Sequence, residues 1–233
     1  MTALLELDDI HTYYGESHIL RGVSLTVDDG EVVTLIGRNG VGKTTTLRSI
    51  LQLTPPRDGS VRFAGTDLTG CEPHEVVDGG IGWVPEDRRM FAQLTVEENI
   101  RIAVPRDTDP DPAFDRIYDL FPRLQERHDM PAGSLSGGEQ QMLAISRGLA
   151  GNKDLLLIDE PSEGLAPKIV ASVVDALETV SEETTVLLIE QNLPLAVDIA
   201  DRYYLLDQGR VIRQGETSAD LMDDEDIRRY LSA

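Results

Sequence analysis

Lysine is the scarcest charge in this 233-residue chain: Lys43, Lys153 and Lys168 are the only three, against 42 acidic residues. Arginine supplies the rest of the basic side chains, and the formal net charge is −21. A surface this negative repels phosphate backbones, which excludes a broad electrostatic footprint for DNA or RNA, so no nucleic-acid partner is expected. Acid-rich, lysine-poor chains resemble proteins of salt-loaded cytoplasm, where screening weakens self-repulsion, and a halophilic source is the expectation. An ordinary acidic cytosolic protein is the other reading.

Cysteine is nearly absent too. Cys71 stands alone, so no intrachain disulfide can form and a cysteine-based zinc site is not expected. His11, His18, His74 and His128 show no metal-ligand spacing and read as surface or structural residues. No apolar run approaches the roughly 20 residues that span a bilayer. The amino-terminal stretch MTALLELDDI is acidic where a signal peptide would be basic, so a cytoplasmic location is expected. Hydrophobic residues still make up 40% of the chain, enough for a substantial core and too many for disorder.

Strand-like and helix-like segments alternate along the chain, which predicts an α/β layered fold. EVVTLIG (31–37), IGWVP (81–85), DLLLID (154–159) and TTVLLIE (184–190) have few polar interruptions, as buried parallel strands require. LLELDDIHTYY, VSLTVDDGEVV and GSVRFAG have the texture of an antiparallel β portion. YYLLDQGRVIRQG repeats it as a hairpin turning at Asp207, Gln208 and Gly209. The texture changes between about 93 and 150. TVEENIRIAV opens with the capping-box pair Thr95 and Glu98, and DPAFDRIYDLFPRL and EQQMLAISRGLA carry apolar residues at helical spacing. One domain over 1–233 is expected, with this helical subdomain inserted into a core of 1–92 plus 151–233. PRDTDPDP (105–112) reads as a surface loop.

GRNGVGKTT (37–45) satisfies G-x-x-x-x-G-K-[ST] after a strand and at the start of a helix. Gly37, Gly40 and Gly42 let the backbone curl so that successive N–H groups face phosphates, and the following helix adds the positive end of its dipole. Lys43 would reach the β- and γ-phosphates, and the Thr44 hydroxyl would ligate Mg²⁺. Asn39 and Thr45 belong to the same nucleotide-binding set. DLLLIDEP delivers Asp159 to the carboxyl edge of the sheet, where it can hold Mg²⁺ through water; Glu160 can orient and polarise the attacking water. ATP and Mg²⁺ are the expected ligands.

In LSGGEQQ (135–141) a Ser-Gly-Gly turn opens another helix. Ser136, Gly137 and Gly138 form a second anion site, which one nucleotide per chain does not need. With these motifs in this order the sequence resembles the ATP-binding cassette ATPases, whose signature is LSGGQ. VPEDRRMF, FPRLQER, SGGEQQMLAI, DEPSEGLAP and IEQN resemble more narrowly the LivF-type ATPases of branched-chain amino acid importers. Related subunits of urea and short-chain amide importers share much of the pattern.

The resemblance covers essentially the whole chain and implies a RecA-like P-loop core. In that family two cassettes pack head to tail, and each nucleotide lies between one phosphate loop and the other chain's signature. By position, Ser136, Gly137, Gly138 and Glu139 would contact the partner's ATP, and Tyr14 would stack on adenine, although Tyr13 and Tyr14 read equally as strand residues. Glu139 stands where the signature has Gln. Glu86 occupies the Q-loop position near Mg²⁺ and the attacking water, Ala166 the D-loop aspartate position, and Gln191 that of the switch histidine. Arg88 and Arg89 lie where the family meets its membrane subunits, or form a solvated charged loop.

The implied partners are a second, LivG-like cassette or another copy of the chain, two membrane permeases and an extracytoplasmic solute-binding protein. The implied place is the cytoplasmic face of the membrane, and the implied activity is ATP hydrolysis coupled to import. A DNA-repair or ribosomal cassette ATPase usually carries coiled-coil insertions or tandem cassettes, which are absent. A P-loop kinase has no use for LSGGEQ. A non-hydrolysing regulatory module conflicts with Glu160.

Overall fold

The computed structural model describes residues 3–151 and 153–232. The expected span of 1–233 therefore includes residues 1, 2, 152 and 233, which lie outside the described residues. A hairpin of β1 (Leu5–Tyr14) and β2 (Ser17–Val27) precedes β3 (Val32–Ile36) and α1 (Lys43–Ile50). Next come β4 (Asp58–Phe63), the two-residue β5 (Thr66–Asp67), α2 (Pro73–Asp78) and β6 (Ile81–Val84). Four helices follow without an intervening strand: α3 (Val96–Ala103), α4 (Asp111–Leu120), α5 (Pro122–Gln125) and α6 (Gly137–Leu149). Strand and helix then alternate in β7 (Leu155–Asp159), α7 (Pro167–Ser181), β8 (Thr185–Glu190) and α8 (Leu193–Ile199). The β9 (Arg202–Asp207) and β10 (Arg210–Glu216) hairpin and α9 (Glu225–Ser232) complete the order.

Two sheets result. One is antiparallel in the order β2-β1-β4-β5, and the other runs β10-β9-β3-β8-β7-β6, parallel except for the β9–β10 pair. This is the expected α/β class, with a mixed core sheet and a separate antiparallel sheet. The tail hairpin turns at the expected residues, but β9 belongs to the parallel sheet: Val33, Thr34, Leu35 and Ile36 pair in parallel with residues 202–205. Antiparallel texture marked the β9–β10 contact and said nothing of the other edge of β9.

Every residue of β3, β7 and β8 is buried. Alternation along the pleat divides them between two cores. Val32, Leu156, Ile158, Val186 and Leu188 face a cluster built with Ile100 of α3, Ile117 of α4, Leu143 of α6 and Leu177 of α7. Val33, Leu35, Leu155, Leu157, Leu187 and Ile189 face the opposite cluster, with Leu47 of α1, Ile10 of β1, Val23 of β2 and Phe63 of β4. The sheet is thus covered by helices on one side and by α1, α2 and the antiparallel sheet on the other.

The capping box expected at α3 is present: Glu98 N–H donates to Thr95 Oγ1 at 3.1 Å and Thr95 N–H to Glu98 Oε2 at 2.8 Å. The acidic loop after α3 is shorter than expected, because Asp111 and Pro112 already form the first turn of α4. Proline is accepted there since a first-turn N–H has no intrahelical partner to lose. Among the described residues no helix is long and apolar enough to cross a membrane.

A polar bolt fixes β9 to β2 and to the turn before β3. Arg202 Nε and Nη2 donate to the Glu31 carboxylate at 2.7 and 2.8 Å, Nη1 to Tyr204 Oη at 2.7 Å, and Nη2 also to the Thr26 carbonyl at 2.9 Å. Burial pushes the Glu31 carboxyl up, but hydrogen bonds from Arg202 outweigh it and hold the group below its usual range. Arg202→Ala should lower the unfolding free energy by about 2 kcal/mol at neutral pH, read from urea midpoints. A depressed folded pKa gives stability that is present above the unfolded carboxylate value, near 4.3, and lost as pH falls through the folded value. The stability gap between wild type and variant should therefore narrow in acid below about pH 4, leaving only what the bonds to Tyr204 and Thr26 contribute.

Candidate active site

β3 ends at Ile36 and the chain turns through residues 37–42 into α1. Gly40 and Gly42 have φ of 83° and 117°, a left-handed backbone that strains any residue with a Cβ. Gly37 serves another purpose: a Cβ there would lie 2.6 Å from the Leu206 carbonyl oxygen on β9. The expected tight curl thus belongs to Gly40 and Gly42, while Gly37 permits close approach to the neighbouring strand.

Lys43, the first residue of α1, is only 3% exposed. Its ammonium donates to the carbonyls of Gly37 and Arg38 at 2.8 and 3.0 Å and lies 2.9 Å from Glu160 Oε1. A buried ammonium and a buried carboxylate each cost several kcal/mol alone, and here each neutralises the other. Thr44 Oγ1 donates to Asp159 Oδ1 at 3.3 Å, across the gap between α1 and the end of β7.

Lys43, Thr44 and Glu160 border an open cleft of about 340 Å³, while Gly37 and Asp159 lie outside its lining. It collects Tyr14, Asn39, Gly40, Gly42, Lys43, Thr44, Thr45, Glu86 and Glu160 from the predicted set, and adds Ile19 and Glu163. Tyr13 and Tyr14 divide their tasks. Tyr13 stacks on His18 at 4.1 Å under the Arg57 guanidinium, whereas the Tyr14 ring borders the cleft and its hydroxyl accepts from Arg48 at 3.2 Å. His18 also lies 3.1 Å from His11, ring nitrogen to ring nitrogen, which fits the structural reading of both.

Carboxylates dominate the cleft. Burial, then the charges of Glu160 and Glu86, push Asp159 up to about 6 despite the Thr44 hydrogen bond. Burial, then Glu86 and Glu160, push Glu163 up to about 7. The Thr44 hydroxyl with the Asp159 and Glu86 carboxylates is an all-oxygen, hard donor set, and such a set fits Mg²⁺. A different group, Glu97, His128 and Asp129, also has ligand atoms within 4.8 Å of one another. Its members are already engaged, Glu97 by Arg101 at 2.7 Å and His128 by Asp129 at 3.1 Å.

Glu160 carries local strain. Its φ is 44°, in the left-handed region that costs a side-chain-bearing residue about 1–3 kcal/mol. Its N–H donates to the Ile189 carbonyl of β8 at 2.9 Å, which holds that conformation. Gln191 follows the end of β8 and is exposed, outside the cleft lining. The signature residues are also outside that lining. Ser136 caps α6: Glu139 Oε2 accepts from Ser136 N–H at 2.9 Å and from its hydroxyl at 2.8 Å, while Arg127 pairs with Glu139 Oε1 at 2.7 Å. Burial pushes the Glu139 carboxyl up, but Ser136 and then Arg127 outweigh it and leave it below its usual range. A Cβ on Gly138 would come within 3.0 Å of Ile169 on α7, so the glycine permits the close α6–α7 approach.

The profile of the ABC transporter family matches residues 20–163, a span that contains the phosphate loop, the signature and the Asp159–Glu160 pair. The chain belongs to the ABC transporter family. This ABC ATPase is 43% identical over 229 residues to the high-affinity branched-chain amino acid transport ATP-binding protein BraG of Pseudomonas aeruginosa, covering 97% of each chain. It is 36% identical over 231 residues to the probable branched-chain amino acid transport ATP-binding protein LivF of Archaeoglobus fulgidus, again over 97% of each. A solved ADP conformation of an ATP-binding cassette of an ABC transporter superposes with a TM-score of 0.87 at 27% identity, over 99% of this chain and 98% of that one. ABC ATPases bind and hydrolyse ATP, and this chain shares that activity.

Several residues of the ABC ATPase carry more than the motifs signalled. Arg88 is no free loop charge: its Nε donates to Gln141 on the signature helix at 2.8 Å, and Arg147 Nη1 of the same helix donates to the Arg89 carbonyl at 2.6 Å. Arg88 and Arg89 have φ of 55° and 43°, two successive strained residues. Ala166 is the N-cap of α7 and offers no side-chain cap, a loss of about 1 kcal/mol relative to aspartate. Glu163 was missed by motif reasoning, although its place as the third acid in DEPSEGLAP was visible. Glu190, the acid that ends TTVLLIE, is 1% exposed.

Lys43→Ala should abolish tight ATP binding in a fluorescent-nucleotide titration, and retained affinity would refute the phosphate-loop assignment. Glu160→Ala and Glu160→Gly both remove the partner of Lys43, so their difference isolates the backbone. Glycine should be the more stable by about 1 kcal/mol in urea unfolding, the reverse of its usual effect.

Proposed function

We propose that this ABC ATPase is the energy-coupling subunit of an importer for branched-chain amino acids. The observation that carries the reading is the 43% identity, over 97% of both chains, to a branched-chain amino acid transport ATP-binding protein. The LivF-type residues Glu86 and Gln191 support the same branch.

The proposed site works as follows. The phosphate loop and the start of α1 bind the triphosphate through backbone N–H groups, with Tyr14 against the base. Lys43 exchanges its Glu160 partner for the β- and γ-phosphates, which frees the Glu160 carboxylate to orient and polarise the attacking water. Thr44, Asp159 and Glu86 would hold Mg²⁺, which would supply charge neutralisation on the phosphates. Gln191 donates a neutral hydrogen bond to the γ-phosphate, worth about 0.5–1.5 kcal/mol where a charged donor gives about 1.5–3. The site is slower for that difference by roughly one order of magnitude, and remains competent.

Ser136, Gly137, Gly138 and Glu139 serve the ATP of a second cassette, either a LivG-like subunit or another copy of this chain. Ser136 must then leave Glu139, which Arg127 retains. Arg88 and Arg89, bolted to α6 through Gln141 and Arg147, meet two membrane permeases at the cytoplasmic face, and an extracytoplasmic binding protein delivers the solute. In this reading residues 1–233 form one cassette, with residues 93–150 as its helical subdomain, and the −21 charge suits a halophilic cytoplasm.

Uptake assays in cells lacking this gene test the substrate. Loss of leucine, isoleucine and valine uptake, restored by the wild-type gene and not by Glu160→Gln, is the expected result. Loss of urea or amide uptake instead would move the protein to the related importer class. Intact uptake of all of these would overturn the reading.

A further inference from the structure

Glu190 is the last residue of β8 and is 1% exposed. Among the described residues it forms no ion pair, so its charge is not balanced by a neighbouring cation. Three backbone amides take that place. Oε1 accepts from Ser162 N–H at 3.1 Å, and Oε2 from Gln191 N–H at 3.1 Å and Asn192 N–H at 3.0 Å. The two oxygens therefore serve two different loops. One loop leaves Glu160 for α7, and the other carries Gln191 into α8. A hydroxyl or an amide oxygen could satisfy either loop alone. A carboxylate has two acceptor oxygens on a rigid plane and can hold both together.

We propose that Glu190 is a positioning residue which clamps the loop after Glu160 to the loop bearing Gln191, so that the two keep one relative geometry during ATP hydrolysis. The inference rests on the roles proposed above for Glu160 and Gln191.

The sheet order gives the clamp its place. β8 lies between β3, which leads to the phosphate loop, and β7, which ends in Asp159. Glu160 N–H already donates to the Ile189 carbonyl at 2.9 Å, so the β7 end has one tie to β8 before the carboxylate adds a second. Asn192 closes its own loop separately, its Oδ1 accepting from Leu195 N–H at 3.4 Å at the start of α8. The Ser162 bond is thus the only one of the three that crosses between loops. Beyond it, Leu165 would meet a Cβ on signature Gly137 at 3.2 Å, so the clamped loop also rests against the α6 N-terminus. Removing the carboxylate frees three part-buried N–H groups and lets the Gln191 loop and the Ser162 loop move independently.

The test uses steady-state ATP hydrolysis by the full-length chain, with kcat and KM measured separately and folding checked by circular dichroism. Glu190→Gln keeps the shape but turns an amide group toward backbone N–H groups, and should lower kcat about tenfold or more with KM within about threefold. Glu190→Asp keeps the charge and is one methylene too short to span both loops. It should fold and also lose at least about fivefold in kcat, which keeps the test open if the glutamine variant does not fold. Gln191→Ala should lower kcat in the wild-type background and have little further effect in the Glu190→Gln or Glu190→Asp background, because the clamp is what makes Gln191 effective. Wild-type kcat in Glu190→Asp, or Glu190 and Gln191 effects that simply multiply, would overturn the clamp and leave Glu190 a buried structural acid. Glu160→Gln is the control: if it keeps wild-type kcat, the catalytic reading itself fails. Its loss of activity beside unaffected Glu190 variants would sink only the clamp.

Discussion

β3, β8 and β7 stand side by side in the parallel sheet and are buried on both faces, and the rest of the molecule is arranged around that burial. Two-sided burial requires a cover on each face, which the helices provide on one side and α1, α2 and the antiparallel sheet on the other. It also leaves polar groups only one way out, at the strand ends. The phosphate loop, the Asp159–Glu160 pair and the Glu190–Gln191 pair leave neighbouring strands at the same carboxyl edge. The site is a consequence of the core.

The charge balance at that edge is severe. Glu86, Asp159, Glu160 and Glu163 crowd the surroundings of Lys43, and Glu190 is buried behind them with amides for partners. Three of these groups, Asp159, Glu163 and Glu190, are pushed up toward neutrality, chiefly by burial and also by neighbouring carboxylates. A triphosphate bound there would add further negative charge. In the proposed site, backbone dipoles, the start of α1 and oxygen donors suited to Mg²⁺ would have to offset that charge in a chain that is itself strongly acidic.

How much was legible in the sequence follows from the range of each interaction. The phosphate loop and the capping box at Thr95 are local, so their spacing alone located them. The buried strands announced themselves as unbroken apolar runs. Contacts distant in sequence left no local mark. Gly37 is required by Leu206, Arg88 is held by Gln141, and Glu190 bonds Ser162, 28 residues away. β9 looked like half of a hairpin, because its parallel pairing with β3 joins segments about 170 residues apart. Glu190 was the clearest omission: an acid at a strand end resembles a solvated terminus until its amide partners come from two loops.

The pleat of β7 has a consequence for how the chain can vary in length. Its residues alternate between the two cores, with Leu156 and Ile158 on one side and Leu155 and Leu157 on the other. Adding or deleting one residue inside that strand would exchange the sides and move Asp159 and Glu160 by one register step. The same parity holds for β3 and β8. A change of length should therefore be tolerated in segments such as the loop at 105–110, where no core depends on counting in twos, and not inside these strands.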